Sequence, residues 1–247
     1  MDNQEYMNSK FQMPYLKTVV FEIRFPSDLS IIQQKFTDFQ KLIHEEFPNI
    51  SEGFLLPPQG FPIDVKTLIT ARKISLETID GSMKINVSHD FVSLLVTDYQ
   101  TIEIFTNCVK KYFELIFQLF QIKTAIRMGL RYYMKYDFEE KKELDVFVKF
   151  NKYFKPLWNT NVVEVNSLIT QGNEVRKKLN DQFAITLRSK FNRDPFSYEL
   201  DFDVYTTKSC SFSDYIDILQ KLRTYEKQYF LNMITKEFLN FLKAKPS

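Results

Sequence analysis

Alternation is the clearest regularity in this chain. Over residues 18–25, Val19, Phe21, Ile23 and Phe25 fall on one side and Thr18, Val20, Glu22 and Arg24 on the other, which is the period of a half-buried strand. The period returns over residues 125–138. There the even positions Ile126, Met128, Leu130, Tyr132, Met134 and Tyr136 are apolar or aromatic, and the odd ones are Arg127, Gly129, Arg131, Tyr133, Lys135 and Asp137. Helical spacing follows each of these strands. Ser27 or Asp28 caps a helix whose apolar stripe is Ile32, Phe36, Phe39, Ile43 and Phe47, stopped by Pro48. Leu144, Phe147, Val148 and Phe154 trace a shorter helix that ends before Pro156.

The remaining elements complete two similar series. Leu68, Ile74 and Leu76 mark a strand, Asp80-Gly81 a tight turn, and residues 83–87 and 91–97 two further strands. A helix over 102–120 then carries Ile102, Phe105, Val109, Tyr112, Phe113, Ile116 and Phe120 on one stripe. In the second series, strands are expected over 161–170, 183–191 and 196–206, with a turn at Asn192-Arg193-Asp194-Pro195. Residues 53–62, with Pro57, Pro58 and Gly60, read as a loop, and Arg176-Lys177-Lys178 as a solvent-facing loop cluster.

The order strand, helix, three strands, helix therefore occurs twice, in 1–123 and again in 124–247. The repeat lies in element order and not in residue identity. Two such units predict an α+β fold: one antiparallel sheet of about eight strands, helices on one face, and the other face open. A long last helix carries Tyr215, Ile218, Leu219, Leu222, Tyr225 and Tyr229 and continues through Met233, Phe238 and Leu242, with a break at Thr235 that would cap a separate final helix. Its far end is apolar on more than one side, so it needs a second covering surface from the other half, from a second copy in a homodimer, or from another partner.

Composition narrows the class. The chain has 247 residues, 44% of them hydrophobic, and 33 basic residues against 31 acidic ones for a net charge of +2. That near-balance argues against non-specific nucleic-acid binding by bulk charge while leaving a local basic patch open. Cys108 and Cys210 are the only cysteines, too few for a disulfide framework and wrongly spaced for zinc. No run reaches the roughly 18 apolar residues of a membrane span, and the polar start MDNQEYMNSK is unlike a signal peptide. The expected location is the cytoplasm.

Chemical signatures are sparse. The two histidines, His44 and His89, have no partner at metal-ligand spacing, and five scattered glycines cannot build a phosphate cradle. Neither a metal nor any other cofactor is called for, and no catalytic residue is assigned. Arg127, Arg131, Tyr133 and Lys135 share one strand face and form the candidate ligand site, with guanidinium forks for phosphate and a tyrosine for stacking on a base. Glu199, Asp201 and Asp203 share a face of the strand over 196–206. A two-metal enzyme would want such carboxylates, but cross-strand pairing with Arg188 and Lys190 would satisfy them equally.

Several segments, in order, carry a resemblance: VVFEIRFP before a helix ending in Phe-Pro, TDYQTIEIF entering the central helix, RMGLRYY after it, and LDFDVY before FLNMITKEF. Together they resemble a sporadically distributed family of prokaryotic proteins of about 250 residues with no assigned activity. Arg127, Gly129, Leu130, Arg131 and Tyr132 are its most specific matches, with Asp201 and Asp203 matching further on. The resemblance implies a mobile or selectively useful trait, such as phage defence or a toxin–antitoxin pair. The expectation is thus a non-enzymatic binding protein with a protein partner encoded nearby. The alternatives are nucleic-acid or nucleotide binding on the open sheet face and a metal-dependent enzyme using Asp201 and Asp203.

Overall fold

The computed structural model describes residues 15–54, 72–97, 99–155 and 170–244. The fold is α+β, and the described residues form a nine-stranded antiparallel sheet and five α-helices. Two compact units make up the chain. The first comprises the described residues of Thr18–Leu130 and Tyr205–Leu219, and the second those of Met1–Lys17, Arg131–Val204 and Gln220–Ser247.

In the first unit, β1 (Leu16–Arg24) leads through a turn of π-helix at Ile31–Lys35 into α1 (Phe36–Ile43). Then come β2 (Asn49–Phe54), β3 (Arg72–Glu77), β4 (Met83–Ser88) and β5 (Phe91–Val96), followed by α2 (Ile102–Phe120). The strands run β2-β3-β4-β5-β1, each antiparallel to its neighbour. Thr101 caps α2, its hydroxyl accepting from the Ile104 amide at 3.3 Å. Val19, Phe21 and Ile23 are fully buried beneath the helices, with Phe21 against Phe113 and Phe39 against Phe120. Gly81 holds a positive φ of 71° in the β3–β4 turn, as the Asp80-Gly81 pair predicts. A two-residue ribbon, β6 (Thr124–Ala125) with β11 (Cys210–Ser211), ties the loop before the last long helix to the entry of β7 (Arg127–Asp137).

β2 is the strand that sequence reading misses, since Gly53 and Phe54 belong to it and not to a loop. As an edge strand it buries none of its side chains, so it has no apolar alternation to reveal it. The expected strand start at Leu68 lies outside the described residues.

In the second unit, β7 continues from Arg131 and is followed by α3 (Glu143–Tyr153), β8 (Thr170–Lys178), β9 (Phe183–Arg193) and β10 (Phe196–Thr206). These strands lie in the order β7-β10-β9-β8. Residues Arg176-Lys177-Lys178 therefore stand in an edge strand, not a loop, while 161–169 lie outside the described residues. The last helical stretch is two helices, α4 (Tyr215–Met233) and α5 (Lys236–Ala244). Thr235 caps α5, accepting from the Phe238 amide at 3.3 Å, while its own amide donates to the Tyr153 carbonyl at 2.9 Å. The break turns α5 onto α3, where Phe238 meets Tyr153 and Phe154 and Phe241 stacks on Tyr153. The apolar end of the chain is thus covered inside its own unit. Phe150 anchors this core with its ring against Phe191, Tyr198 and Phe154. No helix among the described residues is long and apolar enough to cross a membrane.

Candidate functional site

The second unit turns its charged residues to the sheet face opposite its helices. On β7, Met134 and Tyr136 are buried, whereas Arg131 is exposed and Tyr133 and Lys135 half-buried, so strand alternation alone separates core from face. On β10, Tyr198, Leu200, Phe202 and Val204 point to the core, and Glu199, Asp201 and Asp203 to the polar face.

These side chains form one row across four strands. Glu174 of β8 is registered opposite Arg188 of β9, and the Arg188 Nε donates to it at 2.7 Å. The same guanidinium donates to Asp201 at 3.2 Å. Asp201 accepts in turn a two-pronged pair from Arg131, Nε and Nη2 each at 2.7 Å. Asp201 is the buried centre of the row, its side chain 11% exposed, while that of Arg131 remains 52% exposed. Arg188 and Arg176 together hold the Glu174 carboxyl below its ordinary range.

Every residue of the predicted ligand site has an acidic neighbour. Lys135 pairs with Asp137 at 2.8 Å. Burial, followed by the charge of and a hydrogen bond to Glu199, pushes the Tyr133 phenol up to about 12. Glu199 also accepts from the Asn192 amide at 2.9 Å. Arg127 belongs to the first unit, where it donates to Glu22 at 3.3 Å and lies over the Tyr205 ring at 4.5 Å from its centre. Its guanidinium crosses Gly129 so closely that a Cβ there would come within 2.8 Å of it, which gives the glycine of RMGLRYY a packing role. The structure therefore gathers Arg131 with Tyr133 and Lys135 in the second unit, and Arg127 in a clamp of its own.

Elsewhere, catalytic geometry is thin. The His44 Nδ1 donates to the Lys41 carbonyl at 2.9 Å, and the Nδ1 of buried His89 stands 3.7 Å from Asp90. Both cysteines are free, and burial raises both thiols above their ordinary range. Among the described residues no three His, Cys, Asp or Glu side chains are placed to hold a metal ion. A void of about 10 Å³ between Tyr136, Phe154, Tyr198 and Phe238 has room for about one water at most.

Sequence reading passed over one ionisable residue. Glu226 lies one step along the stripe of Leu222 and Phe230 on α4, and it is only 1% exposed. The signal was a carboxylate at an i, i+4, i+8 position between two core residues. Comparison with known proteins found no family model that matches the sequence and no curated protein that matches it.

Proposed function

We propose that this chain is a non-catalytic binding protein of a prokaryotic defence or toxin–antitoxin-like system. It recognises a protein encoded beside it through the polar face of the second unit, in the cytoplasm. One observation carries the reading: Arg131, Lys135 and Arg188 on that face are already paired with carboxylates, so the centre of the surface is close to charge balance. A polyphosphate backbone would have to displace Asp201 and Glu174 from their arginines, whereas a protein surface of mixed sign can pair with both. Arg131, fixed by its fork to Asp201 yet half exposed, is the natural anchor, since a pre-oriented arginine loses little freedom on binding.

The experiment is co-expression with the product of the adjacent gene. A stable complex with the wild-type chain that fails with Arg131→Gln, while the variant still unfolds cooperatively within a few degrees of the wild type, supports the reading. If the pure protein instead binds single-stranded nucleic acid with steep salt dependence, and Arg131→Ala weakens that binding, the nucleic-acid reading replaces it.

A further inference from the structure

The buried Glu226 is the least accommodated group among the described residues. Neither carboxyl oxygen has a hydrogen-bond partner, although the side chain is almost wholly removed from water. The Val204 amide is the one group that favours its charge, and burial and Asp203 outweigh it. An ionised carboxylate in such a place is far costlier than the neutral acid. Among the described residues no ion pair to it is seen. From β10 the groups acting on it are Asp203 and Asp201, both negative, while Phe202 meets Phe230 one turn along α4. β9 presents Phe183, Ile185 and Leu187 to the core, with the Phe183 ring on Tyr225. The charge that β8 offers to α4 is Lys177, and it lies over Tyr229. Arg223 and Lys227 are the neighbouring cations on α4 itself, and the Lys227 ammonium is held below its ordinary range by burial and then by Arg223.

We propose that Glu226 is a proton-controlled latch: its neutral acid keeps the Gln220–Met233 part of α4 docked on β9 and β10, and loss of that proton loosens it. Burial first, then Asp203 and Asp201, raise the affinity of Glu226 for its proton in the folded chain well above the ordinary value of 4.5. The stability tied to that proton is therefore complete below 4.5 and is lost as the pH rises through the higher folded value. Docking of α4 is strongest in mild acid and weakens toward alkaline pH. The latch needs no ligand on the polar face.

Hydrogen exchange, corrected for intrinsic rates, tests it on the full chain. Protection across Gln220–Met233 falls as the pH rises above 4.5, by up to about tenfold per pH unit until the folded value is passed, while that of Ile102–Phe120 holds within about twofold. Glu226→Gln, which cannot ionise, abolishes this selective loss. Glu226→Met serves the same purpose if the glutamine variant does not fold, and at about pH 8 either variant melts at least roughly 2–4 °C above the wild type. Equal losses in both helices, the same loss in the variants, or a wild type that melts as high as Glu226→Met at about pH 8 would each overturn the latch.

Discussion

Each unit crosses its strands with a row of polar side chains on the face away from its helices, and the two rows differ at their centres, neutral in the first unit and charged in the second. In the first unit the stretch across β3, β4 and β5 is neutral, and the charges of that face, Glu22 with Arg127, begin only at β1, where Glu22 is registered opposite Ser93. Ser75 donates to Asn86 at 2.7 Å, Asn86 donates to Ser93 at 3.1 Å, and all three are buried. They stand in direct register, Ser75 opposite Asn86 and Asn86 opposite Ser93. In the second unit the row is long and charged, Glu174–Arg188–Asp201–Arg131, and its outer members reach solvent. A saturated neutral row has nothing left to offer a ligand and serves the sheet alone. A charged row with half-exposed arginines holds itself in shape and still presents donors outward. That difference is why recognition is assigned to the second unit.

The largest effect should come from the neutral row. Asn86→Ala removes the centre of the ladder and strands two buried hydroxyls, at a cost of about 2–3 kcal/mol. Chemical denaturation should show that cost, and it should be insensitive to salt. A salt-dependent loss would mean that the row is not isolated from the charges around it.

Next comes the centre of the charged row. Asp201→Asn keeps the shape but removes the charge shared by Arg131 and Arg188. Because both arginines can turn to water, the cost is smaller, about 1–2 kcal/mol, and added salt should shrink it. Equal costs for Asn86→Ala and Asp201→Asn at high salt would erase the contrast between the two rows.

The rows should also part on acidification. Glu174 is held below its ordinary range by Arg188 and then Arg176, so its pairing is complete above the unfolded value of 4.5 and is lost as the pH falls through the lower folded value. Side-chain NMR should show the Arg188 Nε–H signal moving in that acid window while the Asn86 side-chain amide stays still. Movement of both together would point to unfolding instead of titration.

Much of the architecture was legible in the residues because one face of each element is apolar. The alternation of Val19, Phe21 and Ile23 and the stripe of Phe105, Val109 and Phe113 are direct imprints of burial. Where burial leaves no imprint, legibility fails: β2 buries nothing, and Arg176-Lys177-Lys178 in edge strand β8 is exposed throughout. The break at Thr235 was readable because a threonine that caps has its own local chemistry. The ligand site was only half readable. Spacing places Arg127, Arg131, Tyr133 and Lys135 on one face, but the acidic partner of each except Lys135 comes from another strand, from Glu22, Asp201 or Glu199. No pattern along β7 announces those partners.

The smallest effect is expected at Gly129. Its backbone is not left-handed, so the glycine is there for the closeness of the Arg127 guanidinium and not for its φ. In Gly129→Ala the new Cβ meets the Nη1 of Arg127 at 2.8 Å, and that atom is the far end of a flexible side chain. The arginine can lift away, giving up part of its contact with Tyr205 and its bond to Glu22, each of them partly solvated. Against this, alanine is the better strand residue by about 0.5 kcal/mol, because it loses less freedom on folding. The two terms nearly cancel, so the melting temperature should move by only about 1–2 °C in either direction. In the background of Arg127→Ala the clash is gone and Gly129→Ala should stabilise, which a double-mutant cycle measures directly. If the alanine is costly in both backgrounds, the glycine answers to something other than the arginine above it.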